Sequence, residues 1–134
     1  MTFLIDTNVL SELRRQSPQV RGWMAATPGL RLYCSVISLG EIEKGIERRR
    51  KPDPDFAARL DLWLATLCQE FGDRALPVTA DTALVWGRIA AGRSRDTADA
   101  LIAATAIVHG LTLVTRNSRD FEDLPLTLVN PWQR

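Results

Sequence analysis

Acidic side chains and one amide follow the apolar segments of this chain, at points where strands are expected to end. Asp6 comes directly after the run FLI, Glu41 lies in VISLGEIEKGI, and Asp99 lies in TADALIAATA. Asn117 and Asp120 follow the run LTLVT. If these groups converge at one edge of a sheet, their negative charges repel each other, and a divalent cation removes that cost. The sequence therefore predicts a cation site built from residues that are far apart in the chain.

The donor atoms of this predicted site are all oxygens, which favours Mg²⁺ or Mn²⁺ over Zn²⁺. The chain has one histidine, His109, and helical spacing places it about 15 Å beyond Asp99, at ~1.5 Å per residue. A zinc site or a histidine-based triad is therefore disfavoured, and the sequence has no glycine-rich phosphate loop. Ions held by a few carboxylates take phosphate oxygens as further ligands and can activate water against a phosphodiester.

Each of these residues also has a local structural explanation, and the residues alone leave both explanations open. Asp6 can be the N-cap of the helix that follows it. Glu41 can be a solvated helix residue. Asp96 can cap the next helix with Asp99 at the third position, and Asn117 can cap a short turn. The functional explanation depends on all of them falling at matching ends of the predicted strands.

Arginine side chains flank the candidate residues, and guanidinium groups suit phosphate. The run from Arg48 to Lys51 can equally be a partner of the helix dipole or a solvated face. Gly45 lies one turn beyond Glu41 and leaves the backbone bare beside that carboxylate, at a cost in helix propensity. The flanking pairs are Arg14 and Arg15, Arg93 and Arg95, and Arg116 and Arg119.

Apolar runs alternate with helical patterns along the chain, and this alternation predicts an α/β fold. A parallel sheet covered on both faces is expected, with its site beyond the carboxyl ends of the strands. One helix is opened by Ser17 and Pro18 and stopped by residues 27–29. The other helices are predicted at residues 7–15, 38–50, 56–71, 81–92 and 97–109. The strands are predicted at residues 3–5, 30–36, 75–78, 111–115 and 126–130.

The length of 134 residues fits one domain spanning residues 1–134. The net charge of +1 provides no global field for a polyanion. Two cysteines are too few for a disulfide scaffold, and Cys34 and Cys68 are expected to be buried free thiols. There is no signal-peptide pattern and no apolar run near the ~20 residues that span a membrane. These features predict a soluble, cytoplasmic protein without membrane contact.

Three stretches resemble the PIN-domain family, and among its members the VapC toxins of type II toxin–antitoxin systems. They are LIDTNVLSEL, ISLGEIEKGIERRR and DTADALIAATAIVHGLTLVTRNSRDFEDLPLTLVNPW, and the resemblance extends over essentially the whole chain. It implies a three-layer α/β/α sandwich with a short parallel sheet of about five strands. It also implies an endoribonuclease that depends on Mg²⁺, or on Mn²⁺ as a substitute. Such toxins form homodimers or larger toxin–antitoxin assemblies, and a VapB-type antitoxin silences them.

The resemblance also assigns roles to individual positions. Asp6, Glu41 and Asp99 match the three acidic residues of the family and are expected to hold the metal. Asn117 stands where the family often has an aspartate, so Asp120 is expected to be the additional acidic residue. An amide can ligate Mg²⁺ without adding charge, and the number of ions, one or two, stays open.

Further positions are expected to position or bind the substrate. Thr7 and Asn8 belong to the first motif block, and Thr115 is the polar position after the fourth strand. Arg95 and Arg116 are the expected substrate-binding arginines.

Two other classes of function compete with the nuclease. One is a catalytically inactive PIN fold that binds RNA or protein, although retention of Asp6, Glu41 and Asp99 weighs against it. The other is a phosphoryl-transfer enzyme with an aspartate nucleophile. That chemistry typically has a second aspartate two residues later, and this chain has Asn8 there.

Overall fold

Five short parallel strands form the central sheet of the computed structural model, which describes residues 1–133. The strand order is β3-β2-β1-β4-β5, so β1 is central. The parallel pairing and the helices on both faces confirm the α/β prediction. The strands are β1 (Phe3–Ile5), β2 (Leu32–Ser35), β3 (Ala75–Leu76), β4 (Thr112–Val114) and β5 (Leu128–Val129).

Within the described residues, six α-helices connect and cover these strands, and five of them follow a residue whose side chain caps the first turn. The capping residues are Asp6, Ser35, Asp53, Thr79 and Asp96. The helices are α1 (Thr7–Arg15), α2 (Pro18–Ala25), α3 (Val36–Arg50), α4 (Pro54–Phe71), α5 (Ala80–Gly92) and α6 (Thr97–His109). Short 3₁₀ turns lie at Gly29–Arg31, Gly72–Arg74 and Ser118–Phe121.

The sheet has a hydrophobic core on each face, which makes the fold three-layered. Successive side chains of a strand point to opposite faces. In β1, Ile5 packs with α1, α3 and α4, whereas Leu4 packs with α5 and α6. Both residues are fully buried. The strand that ends at Asp6 is therefore enclosed on both sides, as its unbroken apolar sequence predicts.

Several predicted boundaries are wrong by a few residues, for identifiable reasons. Helix α3 begins at Val36 rather than at residue 38, because the Ser35 side chain accepts from the backbone N–H of Ile37 at 3.1 Å. Helix α4 begins at Pro54 rather than at residue 56, since proline fits the first turn of a helix. Strand β3 ends before Pro77, which cannot donate to the ladder.

Strand β1 has its predicted bounds. Strands β2, β4 and β5 are also shorter than predicted, because burial extends beyond the residues that form the strands. Leu111 and Thr115 are buried on either side of β4 without belonging to it. Cys34 is buried as predicted, but the prediction for Cys68 is wrong, because it is exposed. Cys68 lies outside the buried stripe of α4 that includes Leu64 and Leu67.

Among residues 1–133, no helix is both long enough and apolar enough to cross a membrane.

Candidate active site

Asp6 is buried at the junction of β1 and α1, with only 4% of its surface exposed. Its Oδ1 accepts a hydrogen bond from the backbone N–H of Thr7 at 2.8 Å, which makes it the N-cap of α1. Its Oδ2 accepts from the hydroxyl of Thr115 at 2.7 Å. Burial raises the pKa of Asp6, the two hydrogen bonds oppose this shift, and repulsion from Glu41 adds to it. The local and the functional explanations of Asp6 are therefore compatible, because one carboxylate caps the helix and faces the other acidic groups.

Thr7 links Asp6 to Glu41. While its backbone N–H binds Asp6, its hydroxyl donates to Glu41 Oε1 at 2.6 Å. The same hydroxyl lies 2.8 Å from that of Ser38, which is fully buried one turn before Glu41. Because α3 begins immediately after β2, these contacts place Glu41 at the carboxyl edge of the sheet.

Asp99 lies in the first turn of α6, where its backbone N–H donates to Oδ1 of the capping residue Asp96 at 3.1 Å. Burial raises the pKa of the half-buried Asp99 to about 6, and repulsion from other carboxylates adds to the shift. The residues that repel it are Asp6, Asp96, Glu41 and Asp120. The predicted acidic residues therefore lie close enough to Asp99 to disfavour its ionisation.

The segment after β4 carries Asn117 and Asp120 and is tied to Asp6 through Thr115. The Thr115 hydroxyl accepts from the backbone N–H of Asn117 at 3.1 Å while it donates to Asp6. Asn117 occupies the N-cap position of the 3₁₀ turn, but its side chain makes no capping bond there. A capping role therefore does not explain the Asn117 side chain. Asp120 is exposed within the turn.

Arg95 holds this turn from the side of α6. Its Nη1 donates to the backbone carbonyl of Asp120 at 2.9 Å, and its Nη2 donates to Asp123 Oδ2 at 2.5 Å. The Arg95 side chain is only 6% exposed. A nearly buried guanidinium that binds two protein groups has little capacity left for a substrate, so the contacts of Arg95 favour positioning over direct binding.

Two further predicted residues differ in their surroundings. Arg116 is exposed, and its guanidinium carbon lies 4.6 Å from the ring centroid of Trp132. Oδ1 of Asn8 is buried and has no hydrogen-bond partner within residues 1–133. Such an unsatisfied buried oxygen is costly unless something else contacts it.

The donor chemistry of these residues fits a hard divalent cation. The candidate ligands are carboxylate and amide oxygens, and the raised pKa values of Asp6 and Asp99 indicate that their charges are unfavourable without a counter-charge. Within residues 1–133, no group of three or more His, Cys, Asp or Glu side chains is already arranged to hold a metal ion. Mg²⁺ in proteins often uses only one or two carboxylates, with water and phosphate oxygens as the remaining ligands.

The predicted residues also contact side chains that the sequence patterns did not identify, among them Ser38, Asp123 and Trp132. Ser38 precedes Glu41 by one helical turn, so helical spacing could have found it. Asp123 and Trp132 have no such local signal, because only the folded chain brings them to Arg95 and Arg116.

A family model described as PIN domain matches residues 3–125. The chain belongs to the PIN-domain family. The match includes every predicted site residue, from Asp6 to Asp120.

Similar PIN proteins extend over nearly the same length. The chain is 33% identical to the plasmid stability protein StbB of Pseudomonas syringae pv. tomato, over 97% of this chain and 98% of that protein. It is 32% identical to the VapC ribonuclease Y4jK of Sinorhizobium fredii, over 97% of each. The crystal structure of FitAcB from Neisseria gonorrhoeae is similar with a TM-score of 0.82 and 29% identity, covering 99% of this chain and 100% of that one. These similarities confirm the resemblance to VapC proteins.

Proposed function

We propose that this PIN protein is a VapC-type toxin that cleaves RNA as a metal-dependent endoribonuclease. The observation that supports this most strongly is the half-buried carboxylate of Asp99, which carboxylates from separate elements repel. Asp99 on α6 has its pKa raised to about 6 by burial, with Asp6, Glu41 and Asp120 adding to the shift. The repulsion on Asp99 lowers the stability of the folded protein, and binding of a cation would restore that stability. Similarity to a VapC ribonuclease supports the choice of RNA as the substrate class.

Asp6, Glu41 and Asp99 would hold Mg²⁺ or Mn²⁺, with Asn117 and Asp120 as the additional oxygen donors. When bound, such an ion polarises the scissile phosphate and activates water for attack on it. Thr7 and Thr115 orient Glu41 and Asp6 by donating to their carboxylates. The unpaired Oδ1 of Asn8 is a further group that a bound cation or its water could satisfy.

The chain's own residues perform two more tasks in this proposal. Arg95 fixes the turn that carries Asp120 by donating to its backbone carbonyl. Arg116 is exposed beside this turn and can contact the RNA backbone. Because the negative potential of the site repels RNA, nearby cations are needed for binding.

The proposed partner is a VapB-type antitoxin, and the proposed assembly is a homodimer that can join a larger toxin–antitoxin complex. The similarity to VapC proteins supports both. Among residues 1–133, the most exposed large apolar side chains on helices are Leu62 of α4 at 72% and Leu84 of α5 at 61%. Exposed leucines of this kind are candidates for burial in such contacts.

The test is cleavage of total RNA by the purified full-length protein with Mg²⁺, with Mn²⁺, and with EDTA. We expect cleavage with either ion and none with EDTA. Asp99→Asn should reduce the rate by about a hundredfold or more. Asp96→Asn is the matched control, because asparagine is an equally good N-cap and Asp96 is exposed.

Equal cleavage by wild type and Asp99→Asn would contradict the proposal, as would undiminished cleavage in EDTA. RNA binding without cleavage under any of these conditions would instead favour the non-catalytic module.

A further inference from the structure

A cleft of about 140 Å³ between α1, α3 and α4 connects the acidic site to a group of arginines. Thr7 and Glu41 line it together with Arg14 and Arg49. Glu41 and Arg49 are eight residues apart on α3, or roughly 12 Å along the helix axis at ~1.5 Å per residue. Gly45 lies between them, and a β-carbon there would meet no atom within 4 Å. The cleft is therefore open between its acidic and basic parts.

Three arginines surround a single aromatic ring at the basic part of this cleft. The guanidinium carbons of Arg14, Arg49 and Arg59 lie 5.3, 5.2 and 5.4 Å from the ring centroid of Phe56. No salt bridge within residues 1–133 involves any of these arginines. Burial lowers the pKa of Arg14, and repulsion from Arg15 and Arg49 lowers it further. The cluster thus concentrates positive charge that no salt bridge within residues 1–133 neutralises, and the attraction of Glu12 offsets only part of the repulsion on Arg14.

Other arginines in this region already have carboxylate partners. Arg15 pairs with Glu12 at 3.2 Å. Arg50 pairs with Glu47 at 2.7 Å and with Asp61 at 2.8 Å. Arg14 and Arg49 are thus the cleft arginines whose charge is not offset by a salt bridge within residues 1–133.

We propose that Arg14 and Arg49 form a subsite that binds a phosphate group of the RNA beside the one that is cut. This proposal rests on the proposed nuclease function and extends it to the substrate backbone. Guanidinium groups bind phosphate through paired hydrogen bonds. The cleft also exposes part of the Trp63 ring. Basic grooves with aromatic faces are typical of single-stranded nucleic acid binding, which favours RNA over an acidic peptide as the occupant.

The test measures binding separately from cleavage, by fluorescence anisotropy of a labelled single-stranded RNA in EDTA, with RNA integrity checked on a gel. Arg14→Gln and Arg49→Gln should each weaken binding by about tenfold, the value of one charge-assisted hydrogen bond. Each should also reduce the slope of log affinity against log salt concentration by about 0.7. Arg49→Lys keeps the charge and should retain most of the salt slope.

Arg88→Gln is the matched control, because Arg88 is exposed on α5, the helix that packs on the other face of the sheet. It should bind RNA like the wild type. Thermal melting of all variants verifies folding. Binding of a poly-glutamate peptide to the same variants is the test for an acidic peptide as the occupant of the cleft.

The outcomes separate the subsite from the nuclease function. If the wild type cleaves RNA but the glutamine variants bind it as tightly as the wild type and Arg88→Gln do, the subsite is wrong and the nuclease function stands. If binding depends on the two arginines but no ion supports cleavage, the subsite stands and the nuclease function is wrong. If only poly-glutamate binding depends on them, the RNA subsite is overturned.

Discussion

The hydroxyl of Thr115 donates to the carboxylate of Asp6 at 2.7 Å, across a separation of 109 residues in the chain. The bond joins the carboxyl ends of β1 and β4, which pair in parallel with Ile5 opposite Val114. It is a buried contact, and it places a proton donor on the oxygen of Asp6 that does not cap α1. Strand pairing therefore determines the environment of the carboxylate.

Replacing Thr115 by valine should destabilise the protein by about 1–3 kcal/mol, because it leaves a buried oxygen of Asp6 without its donor. It should also raise the pKa of Asp6 further, since the lost bond favours the charged form. Urea unfolding at pH 7 measures the first effect. Thr127→Val, at an exposed threonine, is the control and should change stability by less than about 0.5 kcal/mol. Equal stability of the two variants would contradict the importance of this bond.

Asp99→Asn should stabilise the ion-free protein at pH 7. The ordinary pKa of Asp99 is 3.8 and the folded protein raises it to about 6, so between these values the folded chain binds the proton more tightly than the unfolded chain. The contribution of Asp99 to stability should therefore fall as the pH rises from about 4 to about 6, and the asparagine variant should lose this contribution. The gain at pH 7 should be on the order of 1 kcal/mol, because solvent partly screens the half-buried group.

Thermal melting in EDTA across this pH range measures both effects. Asp96→Asn should retain most of the pH dependence, because Asp96 contributes less to the shift than burial and Asp6. A difference in melting temperature between wild type and Asp99→Asn that stays constant from pH 4 to pH 6 would contradict the prediction.

Adding Mg²⁺ or Mn²⁺ should raise the melting temperature of the wild type at pH 7. A ligand that binds only the folded state at a hundred times its dissociation constant stabilises it by about 2.7 kcal/mol. The melting temperature of Asp99→Asn should rise much less when the ion is added. Titration with the larger ion Ca²⁺ tests whether the effect depends on ion size. Identical shifts in wild type and variant would place the ion elsewhere in the protein.

Arg95→Lys should reduce RNA cleavage more than Arg93→Lys, although both arginines contact Asp123. The Arg95 side chain is 6% exposed and also binds the backbone carbonyl of Asp120, whereas that of Arg93 is 50% exposed. Lysine lacks the planar fork that makes both contacts of Arg95. We expect a loss of about 1.5–3 kcal/mol in stability for Arg95→Lys and a lower kcat at nearly unchanged KM. Urea unfolding and steady-state kinetics test these two effects.

Sequence patterns predicted the parallel sheet, the helices and the close approach of the acidic residues, because strand and helix periodicity reflect burial directly. They overestimated the lengths of β2, β3, β4 and β5, since buried residues such as Leu111 and Thr115 flank a strand without belonging to it. They also could not reveal that Arg95 binds Asp123, because that contact depends on how the 3₁₀ turn packs. The metal roles of Asp6, Glu41, Asp99, Asn117 and Asp120 stay predictions.

Asp6 is both the N-cap of α1 and a candidate metal ligand. This combination affects which acidic residues a catalytically inactive descendant of this protein would retain. An inactive descendant would still gain from a short polar acceptor at position 6, because the start of α1 needs one. Asp99 has no such benefit, since its carboxylate opposes folding at neutral pH. An aspartate surviving at position 99 would thus be the better marker of a working enzyme.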